Sequence, residues 1–154
     1  MAELIHTSRI RLEKIKGPLR HAYIENFETP IRFGVHGGIK HFYGIEPEEE
    51  MPATLDHMIA AVGGWLLGTL AGALEVRQIP SADGRLTATV EGDIKAVDKI
   101  LRITEIRVRY VLKIPIGTRA AADRALMTHE GKCPAAMSVH DCIKIAITAE
   151  VTEE

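Results

Sequence analysis

Hydrophobic and polar positions alternate in three stretches near the start of the chain. Residues 5–15 read as a strand with imperfect alternation, ended by the turn signal Lys16-Gly17-Pro18. Residues 21–27 read as a second strand. A third starts at Pro30, with Ile31, Phe33 and Val35 on one face and Arg32 and Gly34 on the other. The three predict an antiparallel meander. Gly37-Gly38 then opens a loop that passes His41-Phe42-Tyr43-Gly44 and enters the acidic run Glu46-Pro47-Glu48-Glu49-Glu50, whose plain reading is a solvated surface.

The pattern changes over residues 55–76, where apolar side chains fall on almost every face of a helix. That predicts a central helix covered on several sides. Thr54 is placed to cap its start, and Asp56 lies in the first turn, where negative charge suits the helix dipole. No charged residue lies between Met58 and Leu74. At helical rise this stretch spans roughly 25 Å, short of the roughly 30 Å hydrocarbon layer of a bilayer. A buried helix of a soluble protein is therefore expected, with no role at a membrane. Gly64, Gly68 and Gly72 share one face and invite close approach of another backbone. Each weakens the helix by roughly 1 kcal/mol against alanine, so close packing is expected to compensate.

Asp83-Gly84 reads as a hairpin-type turn. Leu86, Ala88, Val90, Gly92 and Ile94 alternate with polar residues, as do Ile106, Val108, Tyr110, Leu112 and Ile114, and both stretches predict half-buried strands. Gly117-Thr118 opens a helix over 119–130 that Gly131 closes. A short third helix starts at Cys133-Pro134 and ends near Asp141, and a last strand runs over 143–151. No repeat and no long linker divides the chain. A single α+β domain, 1–154, is expected.

Composition narrows the function classes. The 154 residues are 46% hydrophobic, enough for a core, but only 5% aromatic, so aliphatic and small side chains must build it. A formal charge of -2 and the lack of a basic face speak against a nucleic-acid partner. The first residues, Met1-Ala2-Glu3 with Arg9 and Arg11 beyond, contain no apolar signal segment, and a cytoplasmic location is expected. Two cysteines, Cys133 and Cys142, do not make a disulfide scaffold. They lie at opposite ends of the third helix, roughly 13 Å apart at helical rise. A disulfide needs Cα atoms within roughly 7 Å.

Pro134 suits the first position of a helix, which makes Cys133 the N-cap. There the free backbone N–H groups and the positive dipole end favour thiolate, so Cys133 is expected to be the more reactive thiol. A small buried residue that only packs is an equal reading from spacing alone. His36, His41 and His57 lie near the start of the long helix, but their spacing matches no common metal-ligand pattern, and no metal or other cofactor is expected. Phosphate-binding glycine loops and a G-x-S-x-G nucleophile elbow are absent.

The segment Thr54-Leu55-Asp56-His57-Met58-Ile59-Ala60-Ala61-Val62-Gly63-Gly64-Trp65 resembles the P-L-E-L-L-L-A-A-L-G-G-C motif at the start of the central helix of OsmC/Ohr proteins. Cys133-Pro134 resembles their second helix start, and the order of elements is similar over nearly the whole chain. The resemblance implies an OsmC-like fold, an antiparallel sheet wrapped around a long central apolar helix, in an intertwined homodimer with sites at the subunit interface. In the family's peroxidases the first cysteine attacks a hydroperoxide and the second resolves the sulfenic acid as a disulfide. An arginine and a glutamate hold the attacking thiolate.

Carried over residue by residue, the first cysteine falls on Trp65, which cannot do this chemistry. The resolving cysteine falls on Cys133. The acidic position falls on Asp56, one methylene shorter than glutamate. The arginine of an R-F-x-G loop falls on His41 of His41-Phe42-Tyr43-Gly44 or on Arg32 of Arg32-Phe33-Gly34, and the sequence leaves both open. The resemblance thus implies an oxidative-stress protein related to thiol-dependent organic hydroperoxide reductases, but without the two-cysteine cycle. It would bind a small apolar ligand or hydroperoxide at the pocket between subunits. The alternative is a one-cysteine thiol peroxidase, or another thiol-dependent enzyme, using Cys133.

Overall fold

A computed structural model describes residues 1–154. The chain divides into two compact units, Met1–His57 and Met58–Glu154.

The N-terminal unit is built on a three-stranded sheet of β1 (Ile10–Lys16), β2 (Leu19–Ile24) and β3 (Ile31–Phe33), in that order and antiparallel. This is the meander expected from the alternation. β1 starts later than its apolar pattern because pairing ends with Ile10 opposite Ile24, where β2 stops. A register shift between Lys14 and Lys16 and the positive φ of Gly17 (52°) turn the chain into β2.

Where a loop was expected, the chain forms α1 (Gly37–Tyr43). The His36 carbonyl accepts from the N–H groups of Ile39 and Lys40, and Gly44 closes the helix in the left-handed region at φ 63°. The two glycines at the start masked this helix, because glycine is a poor helix former.

The acidic run is no loose surface. Met51 N–H donates to the Val35 carbonyl at 3.4 Å, and Gly34 N–H donates to the Pro52 carbonyl at 2.9 Å. A Cβ at Gly34 would sit 2.7 Å from Met51 Cβ, so only glycine admits this approach. Lys16 pairs with Glu48, Arg32 with Glu49, and Lys40 with both Glu46 and Glu50. Residues 46–51 therefore lie as a strap against the sheet.

The 22-residue helix α2 (Thr54–Glu75) begins in this unit and continues into the next. Its N-cap is Ala53, whose carbonyl accepts from Asp56 and His57 N–H. Thr54 is the first helical residue rather than the cap, and the acceptor for the free donor at Ala53 comes from Asp56 three residues on, the reciprocal half of a capping box.

In the C-terminal unit, β4 (Leu86–Val97) and β5 (Ile100–Ile114) pair antiparallel along nearly their full length. Asp83 and Gly84 do form a turn, with φ of 55° and 77°, but it leads from α2 into β4. The hairpin itself closes at Asp98-Lys99, with φ of 51° and 65° and no glycine. β6 (Lys144–Glu153) adds to the other edge of β5 in parallel, giving the order β4-β5-β6. The sheet is therefore mixed rather than wholly antiparallel. The reason is topological: α3 (Arg119–Thr128), a 3-10 turn (Glu130–Lys132) and α4 (Pro134–Val139) make the long crossover that parallel pairing requires.

Ile106, Val108, Tyr110, Leu112 and Ile114 of β5 are all buried, as their alternation predicts. Ile59, Val62, Gly63, Leu66, Leu70 and Leu74 form the buried face of α2. Gly63 meets Val90, and Ile59 fills the space beside Gly92, so the missing Cβ atoms set how closely helix and sheet approach. Only a third of the most apolar 18-residue window of α2 is buried, although its length and composition also suit a membrane span. A single protomer therefore covers this helix on one side only. One face packs on the sheet, and Ala61, Gly64, Trp65, Gly68 and Gly72 face outward.

Candidate functional site

Asp56 is held by its own helix start. Its Oδ2 accepts from Ala53 N–H at 2.6 Å and lies 2.7 Å from His36 Nε2. His36 is the residue that precedes α1, in extended backbone, and its carbonyl starts that helix. Neither sequence candidate for the arginine's place bonds Asp56. His41 is exposed on α1. Arg32 extends from β3 to Glu49 at 3.9 Å, while its carbonyl accepts from His57 Nε2–H at 3.1 Å. His57 also meets Phe33 edge to face.

His36, Asp56, Glu50, Met51 and Pro52 line an open pocket of about 440 Å³. The Lys40 ammonium hydrogen-bonded to Glu50 holds that carboxyl below its ordinary range, so it is charged at neutral pH. Asp56 engages one ring nitrogen of His36, Nε2. Nothing along the chain pointed to this pairing beyond the presence of three histidines near the helix start. No group of three or more His, Cys, Asp or Glu side chains is placed to hold a metal ion.

Cys133 sits where the Cys-Pro pattern puts it. It caps α4, and its Sγ accepts from Ala136 N–H at 3.5 Å, with Pro134 at the helix start. It has no exposed surface. Cys142, two residues before β6, is exposed, and its thiol donates to the Val139 carbonyl at 3.3 Å. Both thiols are free. Access therefore runs opposite to the dipole argument that favoured Cys133.

Sequence reasoning missed the buried pair Tyr110 and His129. Tyr110 stands on an inward position of β5, and its hydroxyl is 3.0 Å from His129 Nε2. The Leu126 carbonyl lies 2.9 Å from His129 Nδ1. A carbonyl only accepts, so Nδ1 carries the proton and Nε2 accepts from the tyrosine. Burial pushes the His129 pKa down, which keeps the ring neutral. Burial pushes the Tyr110 hydroxyl far up. A tyrosine at a core position of an otherwise aliphatic strand was the available signal, since a buried hydroxyl needs a partner.

Trp65 projects from the outward face of α2, 56% exposed. Its carbonyl accepts from the Thr69 hydroxyl at 2.9 Å.

No family model matches the sequence, and no curated protein matches it. Solved structures do. An OsmC-like protein from Mycoplasma pneumoniae is 14% identical with a TM-score of 0.74, over 97% of this chain and 99% of that one. An organic hydroperoxide resistance protein OsmC from Legionella pneumophila is 10% identical with a TM-score of 0.67, over 97% of this chain and 100% of that one. An organic hydroperoxide resistance protein from Elizabethkingia anophelis is 16% identical with a TM-score of 0.68, over 98% of this chain and 100% of that one. Identities this low establish a shared architecture rather than a shared activity.

Proposed function

On the premise that the chain has the α+β fold of OsmC-like and organic hydroperoxide resistance proteins, we propose that it is a stress-related relative of those proteins without a two-cysteine peroxide cycle. It acts by binding a small apolar ligand or hydroperoxide. The observation that carries this is the pair of facts at the two motif positions: an indole stands at Trp65, and the thiol of Cys133 is wholly buried. A wholly buried sulfur is kept from peroxide and from reductant alike, and both attack and reduction need access.

A homodimer belongs to the same proposal. A second copy of the chain covers the outward face of α2 at Ala61, Gly64, Trp65, Gly68 and Gly72, which a protomer leaves to solvent. Asp56 retains the acidic position, with His36 as its partner in place of an arginine. A histidine holds a thiolate less firmly than a permanent guanidinium.

One observation favours the second reading, a one-cysteine enzyme. Cys133 keeps a free thiol whose Sγ accepts a backbone N–H at a helix start. Consumption of an organic hydroperoxide with dithiothreitol as reductant separates the two. The binding reading expects no turnover by the native chain and little or none by Trp65→Cys. Turnover that disappears in Cys133→Ser establishes the enzyme instead.

A further inference from the structure

The N-terminal unit holds a second cavity, of about 310 Å³, between the β1–β2 turn and the strap over residues 46–51. That volume is within the range of small-molecule sites, roughly 300–1,000 Å³. Pro18, Leu19, Pro47 and Met51 supply apolar wall. The charges on its lining are unequal: one cation, Lys16, against the carboxylates Glu46, Glu48 and Glu49.

The existing ion pairs decide what such a rim can recognise. Lys16 is already taken, 2.5 Å from Glu48, so it has little to offer an anion. Glu46 lies 3.4 Å from Lys40, which is held more closely by Glu50 at 2.7 Å. Glu49 reaches Arg32 only at 3.9 Å. Glu46 and Glu49 are thus the weakly compensated charges beside an apolar hollow. A cation bearing an apolar body complements both features at once, whereas a carboxylate would meet two like charges.

We propose that this cavity binds a small amphipathic amine. Its ammonium group lies between Glu46 and Glu49, and its apolar body rests against Pro18, Leu19, Pro47 and Met51. The glutamates are solvent-exposed, so each contributes about fivefold in affinity at most, and that contribution is lost to salt screening. The site is independent of the thiol chemistry and of the outward face of α2.

The test is a titration of the full chain with 2-phenylethylamine, followed by amide chemical shifts at low salt. 2-Phenylethanol and 3-phenylpropionate serve as neutral and anionic controls. The expected result is saturable shifts confined to residues 16–19 and 46–51, with affinity falling as salt rises. The alcohol should bind about fivefold or more weakly, and the carboxylate should give no saturable shift. Glu46→Gln with Glu49→Gln, both at exposed positions, should reduce amine affinity to the level of the alcohol. Leu19→Trp should fill the hollow and abolish binding of both. Three results would overturn the proposal: no saturable shift with millimolar amine, equal affinity for alcohol and amine in the native chain, or tighter binding of the carboxylate. Should Leu19→Trp fail to fold, the double glutamine variant still decides the charge assignment.

Discussion

His36 Nε2 and Asp56 Oδ2 stand 2.7 Å apart, and the same carboxylate oxygen accepts from Ala53 N–H. Asp56 therefore closes a helix start and anchors an imidazole at the same time. Asp56→Ala should cost about 1–2 kcal/mol in urea unfolding, mostly from the lost cap. His36→Ala should cost less, because the pair is partly exposed. A double-mutant cycle should give a coupling of about 0.2–1 kcal/mol. A coupling of zero would mean that the imidazole contributes nothing to holding the acid.

The two thiols should label in the order set by access. Cys142 should react with an alkylating reagent in the native protein, and Cys133 only when the fold opens, since it has no exposed surface. Mild peroxide should leave no Cys133–Cys142 disulfide, because α4 separates them. Peptide mass spectrometry under non-reducing conditions reads both outcomes. Rapid native labelling of Cys133 with a low apparent pKa would favour the one-cysteine enzyme.

What the sequence disclosed and what it hid divide along the range of the interactions involved. The alternation of Ile106, Val108, Tyr110, Leu112 and Ile114 was enough to place a core strand, because strand faces repeat every two residues. The Cys133 cap was legible for the same reason: Pro134 is a local signal. The burial of Cys133 was not, since it depends on how its surroundings fold around it. The parallel β6 was hidden because period-two patterning carries no strand direction. The contact of His36 with Asp56 was hidden, because it is set by how the chain returns across residues 37–53. The strap was hidden too, since a run of glutamates reads alike whether it is solvated or clamped by Lys16, Arg32 and Lys40.

Glycines on opposite faces of α2 should respond to alanine with opposite signs. At Gly63 a Cβ would press on Val90, and Gly63→Ala should destabilise by about 1–3 kcal/mol, as overpacking does. At Gly68 nothing lies within 4 Å of the added atom. In an isolated protomer Gly68→Ala should therefore stabilise by up to about 1 kcal/mol through helix propensity. If a second copy covers this face, Gly68→Ala should instead weaken association, and sedimentation of the two proteins over a concentration series distinguishes the cases. Stabilisation with no change in association would count against the proposed dimer surface.

His129 should make stability pH-dependent below neutrality. Its ring is buried and neutral, donating from Nδ1 to the Leu126 carbonyl and accepting from Tyr110 at Nε2. Burial holds its folded pKa below the ordinary 6.5. The unfolded chain therefore takes up a proton first as pH falls. The stabilisation is complete above about pH 6.5 and is lost as pH falls from there toward the depressed folded value. Each unit of depression corresponds to about 1.4 kcal/mol. The carboxyls of Glu50 and Asp93, held low by Lys40 and Arg107, act only below about pH 4.5, so the two effects occupy separate windows. His129→Gln retains an acceptor for the Tyr110 hydroxyl but cannot titrate, and should flatten urea stability between pH 7.5 and 5. His129→Phe should cost a further 1–3 kcal/mol or so, since it strands a buried hydroxyl. An unchanged slope in His129→Gln would place the titrating group elsewhere among the seven histidines.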